Sequence, residues 1–454
     1  MRVRARLNSD KTLDKLHRDV LHAMNKALDA ADPRNIIKQH LRVDRGILRL
    51  DDATYSLKHF RRLFLIGGGK ASGRMAEEVE KLLGPRLSGG LLIVPDYLRP
   101  WPKAHKIKFR LGTHPIPSRQ NANAVSEMLD LVENPKRDDL IIVVLSGGAS
   151  ALLELPAAGI SMEDEGKITS LLLKSGANIQ EMNTVRRHLS RVKGGRLAEL
   201  LHPAHVLTLI ISDVIGDQLD AIGSGPTVAD PTTYSDAKHV LTKYKLWSRI
   251  PQRVRRLIEE GLGGALADTP KPRDKSFQRV KNVIVGSNRQ SCQAAVAHLR
   301  KAGYHAGVLS THLVGEAREV GRILGSISTD LRDSQALLSP PAALVSGGET
   351  TVTVAGSGKG GRNQELALAA ASAIEGTDHL VVGTLATDGV DGPTDAAGAL
   401  VDGTTVGRGR SLGMDPEKFL ANNDSYSYFL KLDDLVKTGP TGTNVNDITL
   451  ILAG

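Results

Sequence analysis

Five apolar runs in this chain end in short loops of Gly, Ser, Thr, Asp or Glu. Residues 63–66 run into Gly67-Gly68-Gly69-Lys70, and 140–145 into Ser146-Gly147-Gly148-Ala149-Ser150. Residues 206–211 lead to Ser212-Asp213 and then Asp217. Residues 343–345 lead to Ser346-Gly347-Gly348-Glu349, and 380–386 to Thr387-Asp388-Gly389, with Asp391 and Asp395 close behind. Glycine lets backbone N–H groups face an anion, and a helix starting after such a loop adds partial positive charge. One such loop is an ordinary turn. Five of them predict a site for an acidic small molecule.

Lys70 sharpens that expectation. The stretch LFLIGGGKASGRM is reminiscent of a phosphate-binding loop, but Phe64 stands where a Walker motif needs its first glycine, and Ala71 follows the lysine. A lysine at a helix start opposes the helix dipole, so it points to an anion rather than to helix stability. The acidic residues need a different reason. Clustered carboxylates repel each other unless a cation or proton relieves them. Asp213 with Asp217, and Asp388 with Asp391 and Asp395, suit Mg²⁺ carrying nucleotide phosphates, with Asp217 and Asp391 as the metal ligands. Each aspartate taken alone is equally a turn or cap residue. Glu349 directly follows two glycines, where turn chemistry does not favour glutamate.

A third feature is VAGSGKGGRNQE, residues 354–365. Gly356, Gly358 and Gly361 formally match Gly-x-Gly-x-x-Gly, a weak signal with no acidic partner at dinucleotide spacing. Lys359 and Arg362 inside the loop suit a polyphosphate better, and Arg362 is a natural clamp for charge on a transferring phosphoryl group. The histidines are scattered, and no Ser-His-Asp arrangement has support.

Elements that would hold these loops in place are legible from periodicity. Leu13, Leu16, Val20, Met24 and Leu28 predict an amphipathic helix within residues 10–42. Apolar strands then alternate with helical stretches, which implies a parallel sheet covered on both faces. Such sheets bind ligands beyond the carboxyl ends of their strands. The basic, Pro/Gly-punctuated stretch near 249–281 reads as a break, and KNVIVGSN opens a second block. The expected organisation is an α/β domain over 1–245, an interdomain segment at 246–280 and a second α/β domain over 281–454. A hairpin-like alternation in GGETTVTVAGSGKGG predicts a mixed second sheet.

With 454 residues, 41% hydrophobic and 3% aromatic, the chain has room for two or three domains with aliphatic cores. The net charge of +9 is concentrated: residues 1–62 hold 15 Lys+Arg against 8 Asp+Glu, and 249–281 hold 9 against 4. Without interleaved aromatics or zinc-finger spacing, these read as solvated faces rather than a nucleic-acid site. The one cysteine, Cys292, excludes an intrachain disulfide. No secretory signal and no membrane span are read in the sequence, so a soluble, cytoplasmic protein is expected.

Six motifs together resemble the glycerate kinase family with a MOFRL C-terminal domain. They are LSGGASALLELP, EMNTVRRHLSRVKGGRLA, ISDVIGDQLDAIGSGPTVADPT, SGGETTVTVAGSGKGGRNQELALA, TDGVDGPTDAAGALVD and GPTGTNVNDITL. They occur in the family's order, and the likeness runs from about residue 60 to the end. The resemblance implies a Rossmann-like N-terminal domain, a mixed-sheet C-terminal domain and a site in the cleft between them. It implies ATP-dependent phosphorylation of D-glycerate, commonly at the 2-hydroxyl, with Mg²⁺. A hydroxypyruvate reductase using NAD(P)H is the alternative, because related sequences have carried that label. Lys70 and Arg362 stand where the family's catalytic cations fall, and Asp213 or Asp388 would accept the hydroxyl proton. The substrate- and nucleotide-binding set is expected to comprise Gly68, Gly69, Ser146, Gly147, Gly148, Ser150, Glu349 and Lys359, with the motif residues Arg187, Lys193, Asn363 and Asn446. Expected partners are D-glycerate and ATP, with a homodimer as the assembly.

Overall fold

The computed structural model describes residue 3 and residues 11–97, 101–333 and 337–454. Arg2, Arg4 and Arg6, part of the N-terminal basic surplus, lie outside the described residues. The predicted amphipathic helix is α1, Lys11–Ala31, and its five signature residues are all at most 9% exposed. A second helix, Pro33–His40, completes the predicted stretch. The chain divides into two compact units, Ile36–Val285 and Met1–Asn35 with Gly286–Gly454.

The unit over 36–285 is built on six strands: β1 (Arg62–Gly68), β2 (Gly89–Pro95), β3 (Ile107–Gly112), β4 (Asp139–Leu145), β5 (His205–Ile211) and β6 (Val280–Gly286). Their order is β3-β2-β1-β4-β5-β6, and the pairs from β3 through to β5 are parallel. All seven residues of β4, DLIIVVL, are buried, as a strand covered on both faces requires. Helix Arg119–Leu131 covers one face through Ala124, Val125 and Met128, which pack with Ile66, Ile93 and Val143. The strand order reverses between β1 and β4, where doubly wound sheets open a crevice at their carboxyl ends. Helix α2, Ser72–Leu83, starts just after Lys70 at that place. A separate three-stranded antiparallel sheet lies at residues 41–56.

Two sequence expectations are corrected in this unit. KNVIVGSN does not open the second block: it supplies β6, the edge strand of the first sheet beside β5. Residues 246–280 are not a linker either. Helix Gln252–Leu262 buries Val254, Leu257 and Ile258 against helix α3, Ile179–His188, and helix Tyr234–Lys243. Arg253 and Arg256 stand on the exposed face of this amphipathic helix, whose apolar stripe the Pro/Gly punctuation at its ends concealed.

The other unit has the strands β7 (His305–Leu313), β8 (Ala342–Gly348), β9 (Leu380–Ala386), β10 (Gly398–Asp402), β11 (Leu435–Val436) and β12 (Asp447–Ala453). Their order is β7-β8-β12-β9-β10-β11. The sheet is mixed, as predicted, but for a different reason. Residues 349–361 form no hairpin; instead β12 runs antiparallel between β8 and β9. Alternate residues of β8 go to opposite faces. Ala342 and Leu344 pack toward helix α5, Arg362–Ala373, and helix Ala317–Asp333, whereas Ala343 and Val345 pack with α1 and helix α4, Asn288–Lys301. The N-terminal helix thus completes the unit made from the other end of the chain. A Cβ at Gly383 would lie 2.6 Å from Met24 Cε, so glycine sets how closely α1 approaches β9.

Candidate active site

In the unit over 36–285, the loops after β1 and β4 are tied to each other. Lys70 N–H donates to the Gly147 carbonyl at 2.8 Å, and Ala71 N–H donates to Ser146 Oγ at 3.0 Å. Gly69 has φ +138°, and a Cβ there would lie 2.2 Å from Ser146 Oγ, so only glycine fits. Gly68, at the end of β1, is likewise packed, with a would-be Cβ 2.9 Å from the Ile93 carbonyl. The Asp213 carboxylate lies against Gly147, with Oδ2 2.3 Å from the position a Cβ would take. Across the loop, a Cβ on Gly148 would meet the His114 ring at 3.0 Å and Lys70 Cγ at 3.5 Å. Lys70, Ser146, Gly147, Gly148 and Asp213 therefore converge at the switch point. An ammonium, glycine amides and a carboxylate at one crevice can bind an acidic molecule and accept a proton from its hydroxyl.

Ser150 stands one turn further on. Its Oγ lies 3.2 Å from Ser224 Oγ, and Ser224 Oγ donates to Asn183 Oδ1 at 3.1 Å. Arg186 Nη2 donates to the Ser150 carbonyl at 3.1 Å and also pairs with Glu154 at 3.5 Å. His114, Asn183, Arg186 and Ser224 were not among the sequence-predicted residues. Asn183 and Arg186 fall within the motif EMNTVRRHLS, but only the fold shows which members point toward Ser150. The His114 imidazole is held neutral to lower pH by burial first and by the Lys70 ammonium second.

Other predicted residues do not join this group. Lys193 is fully buried and paired with Glu154, and burial lowers its pKa despite that partner. Arg187 donates to Asp230 at 3.1 Å and to the Asp220 carboxylate at 2.9 Å, with its side chain 5% exposed. Both are internal ion pairs, and a ligand would have to break them to reach the cations. Asp217 lies in a turn with φ 55° and its N–H on the Val214 carbonyl.

In the other unit a second group forms where the carboxyl ends of β8 and β9 flank the start of β12. Gly348 and Ala386 both pair with Asp447. Arg362, the first residue of α5, donates through Nε and Nη2 to Asp447 at 2.5 and 3.0 Å, and through Nη1 it meets Glu349 at 2.7 Å. Asn446 Nδ2 donates to Glu349 Oε2 at 2.8 Å. Asp388 is half-buried next to this group, its Oδ1 accepting from Val390 N–H at 3.0 Å. Burial pushes the Asp447 carboxyl up to about 7, with Arg362 pulling against it. Asp447 was missed in the sequence because an aspartate opening a strand looks like a turn residue until the strand's direction is known.

The remaining predictions in this unit need correction. Asp391 is buried and spends both oxygens at the start of α5, on Asn363 N–H at 3.0 Å and Gln364 N–H at 2.9 Å. Asn363 is buried with it and adds a side-chain bond to Asp391 at 3.3 Å. Asp395 pairs with Lys437 at 2.9 Å and accepts from Tyr426. The three aspartates thus solve their repulsion separately. Among the described residues no group of three or more His, Cys, Asp or Glu is arranged to hold a metal. The 354–361 loop is not an open nest for phosphates. Its amides at Ala355, Gly356, Ser357 and Lys359 are taken by the side chains of Asn423, Asn422 and Asp424. Lys359 is exposed, with Nζ 4.6 Å above the Tyr426 ring.

Residues 19–259 match a domain described as a domain of unknown function (DUF4147), and residues 342–447 match the MOFRL family. A glycerate 2-kinase from Pyrococcus horikoshii is 41% identical over 95% of this chain and 96% of its own. The chain belongs to the glycerate kinase family with a MOFRL domain. The crystal structure of a glycerate kinase from Thermotoga maritima superposes with a TM-score of 0.87 and 39% identity, covering 97% of this chain and all of that one. A relative from Agrobacterium vitis, 40% identical over 87% of both chains, carries a provisional hydroxypyruvate reductase name. In this glycerate kinase family member, the two groups described above are the candidate substrate-contacting surfaces. No helix among the described residues is long and apolar enough to cross a membrane.

Proposed function

We propose that the chain transfers the terminal phosphoryl group of ATP to the 2-hydroxyl of D-glycerate. The observation that carries this reading is the convergence of Lys70, the Ser146–Gly148 loop and Asp213 at the switch point of the first sheet. Glycerate has one carboxylate and two hydroxyls, so it needs a cation and fixed N–H donors but little apolar surface. Lys70 and the glycine amides supply these. Asp213 accepts the hydroxyl proton as the oxygen attacks phosphorus, and ADP departs with the electrons of the broken P–O bond. Arg362 neutralises charge on the transferring group. Most of the rate then comes from positioning and electrostatics rather than covalent catalysis by the protein.

Mg²⁺ enters this reading with the nucleotide. Such an ion keeps several waters and takes one or two carboxylates together with substrate phosphates. With Asp391 spent on α5, the described residues do not fit a protein-built cage, and Asp388, half-buried in the loop after β9, is a carboxylate that could take part.

One observation favours the reductase reading. Asp96 directly follows β2, the place of a ribose-binding acid in dinucleotide folds. Against it, the turn after β1 lacks Gly-x-Gly-x-x-Gly and carries Lys70 instead. The test supplies D-glycerate with ATP and Mg²⁺, and in parallel hydroxypyruvate with NADH and with NADPH. Phosphorus NMR of the product separates 2- from 3-phosphoglycerate. Cofactor oxidation without ATP consumption would overturn the kinase assignment, and 3-phosphoglycerate would overturn the choice of hydroxyl.

A further inference from the structure

Arg362 carries two carboxylate partners of opposite character. Asp447 holds it through two nitrogens and exposes 10% of its side chain, whereas Glu349 holds it through one and exposes 41%. A buried bidentate pair is costly to open, because it leaves a desolvated charge behind. A half-exposed single contact is worth little more than its hydration. The guanidinium is therefore fixed on one side and exchangeable on the other.

The exchangeable side has a definite shape. Glu349 Oε1 meets Arg362 Nη1 at 2.7 Å while Oε2 accepts from Asn446 Nδ2 at 2.8 Å. Asn446 is itself anchored: its carbonyl accepts from Thr387 Oγ1 at 2.6 Å and its N–H donates to Asn444 Oδ1 at 3.0 Å. Two fixed donors, one charged, thus grip the two oxygens of one carboxylate. We propose that this is an oxyanion subsite in which Glu349 is an internal stand-in, displaced by the carboxylate or terminal phosphate of a substrate while Asp447 keeps Arg362 aimed. The proposal rests on Arg362 contacting substrate.

An internal occupant lowers apparent affinity by the fraction of molecules in which the subsite is open. Calorimetry on Glu349→Ala and Glu349→Gln, with D-glycerate and with a non-hydrolysable ATP analogue in separate titrations, reads this directly. Tightening of about tenfold is expected for at least one of the two ligands if Glu349 fills the subsite nine-tenths of the time. Tightening of glycerate alone identifies the carboxylate as the displacing group; tightening of the analogue alone identifies the phosphate. The gain should vanish when Arg362→Ala is added. Unchanged or weaker binding of both ligands, in variants that retain the wild-type circular dichroism, would overturn the stand-in. The two layers fail differently. Full turnover in Arg362→Ala alone would sink the substrate-contacting role of that cation. Lost turnover in Arg362→Ala without any tightening in the Glu349 variants would sink only the stand-in.

Discussion

The Asp213 carboxylate is lodged against the backbone of Gly147, its Oδ2 2.3 Å from where a β-carbon at that glycine would sit. The loop after β4 thereby fixes the acid that follows β5. Gly147→Ala should push Asp213 aside and lower kcat by about 10²–10⁴, the contribution of a positioned base, as should Asp213→Asn. The melting temperature of Asp213→Asn should stay near the wild type. Steady-state kinetics beside thermal denaturation checks this; wild-type kcat in Asp213→Asn would remove it as the proton acceptor.

Lys70 and Lys359 should separate sharply. Lys70 is woven into both glycine loops, whereas Lys359 rides on an exposed loop whose amides are already used. Lys70→Ala is expected to lower kcat/KM by roughly 10²–10³. Lys359→Ala should change it by less than about tenfold, the scale of an exposed cation. The reverse ranking in a side-by-side assay would reassign the cations.

Asp447 sets a pH dependence. Its carboxyl is raised from 3.8 to about 7, chiefly by burial. Below that value the folded protein keeps a proton that the unfolded chain has lost, so this group's contribution to stability declines as pH rises from about 4 to about 7. Activity should move the other way, because the charged form grips Arg362. The kcat/KM profile is expected to rise through about pH 7 and to lose that limb in Asp447→Asn. An identical profile in the variant would count against the clamp.

Lys193 should prove structural. Its ammonium is fully buried on Glu154, and burial with the Glu154 charge pushes the nearby Glu165 carboxyl well above its ordinary range. Lys193→Met leaves Glu154 with Arg186 alone and should cost about 3–5 kcal/mol in urea unfolding. Lys193→Met with Glu154→Leu should recover much of that loss. If the double variant is no more stable than the single one, the pair is not the reason for the lysine.

Asp391 should behave as a cap. Removing it by Asp391→Ala strips acceptors from the first amides of α5, at a cost of about 1–3 kcal/mol. The Mg²⁺ concentration for half-maximal activity should be unchanged. A large rise in that concentration at wild-type stability would restore the aspartate as a metal ligand.

Much of this was legible beforehand because the central strands β1, β4 and β5 of the first sheet are nearly all apolar, and β1 and β4 run into glycine-rich loops. β4 and its Ser146–Ser150 loop were placed from periodicity and composition alone. The errors have a common origin in that sequence shows which residues are polar, not what they are already bonded to. Lys193, Arg187 and Asp391 look like ligands until Glu154, Asp230 and the start of α5 are found beside them. Strand direction was equally hidden: nothing in NVNDITL says that it enters the sheet antiparallel, and that choice brings Asp447 to the ends of β8 and β9. The helix at 252–262 was misread as part of a linker because the Pro/Gly punctuation at its ends set off an apolar stripe of only three residues.

Helix α1 covers a sheet whose strands are encoded after the whole of the other unit. A ribosome therefore exposes Leu16, Val20 and Met24 long before β9 and β12 exist to receive them. Until translation reaches those strands, this apolar stripe lacks the sheet it packs on, while residues 36–285 are free to condense first.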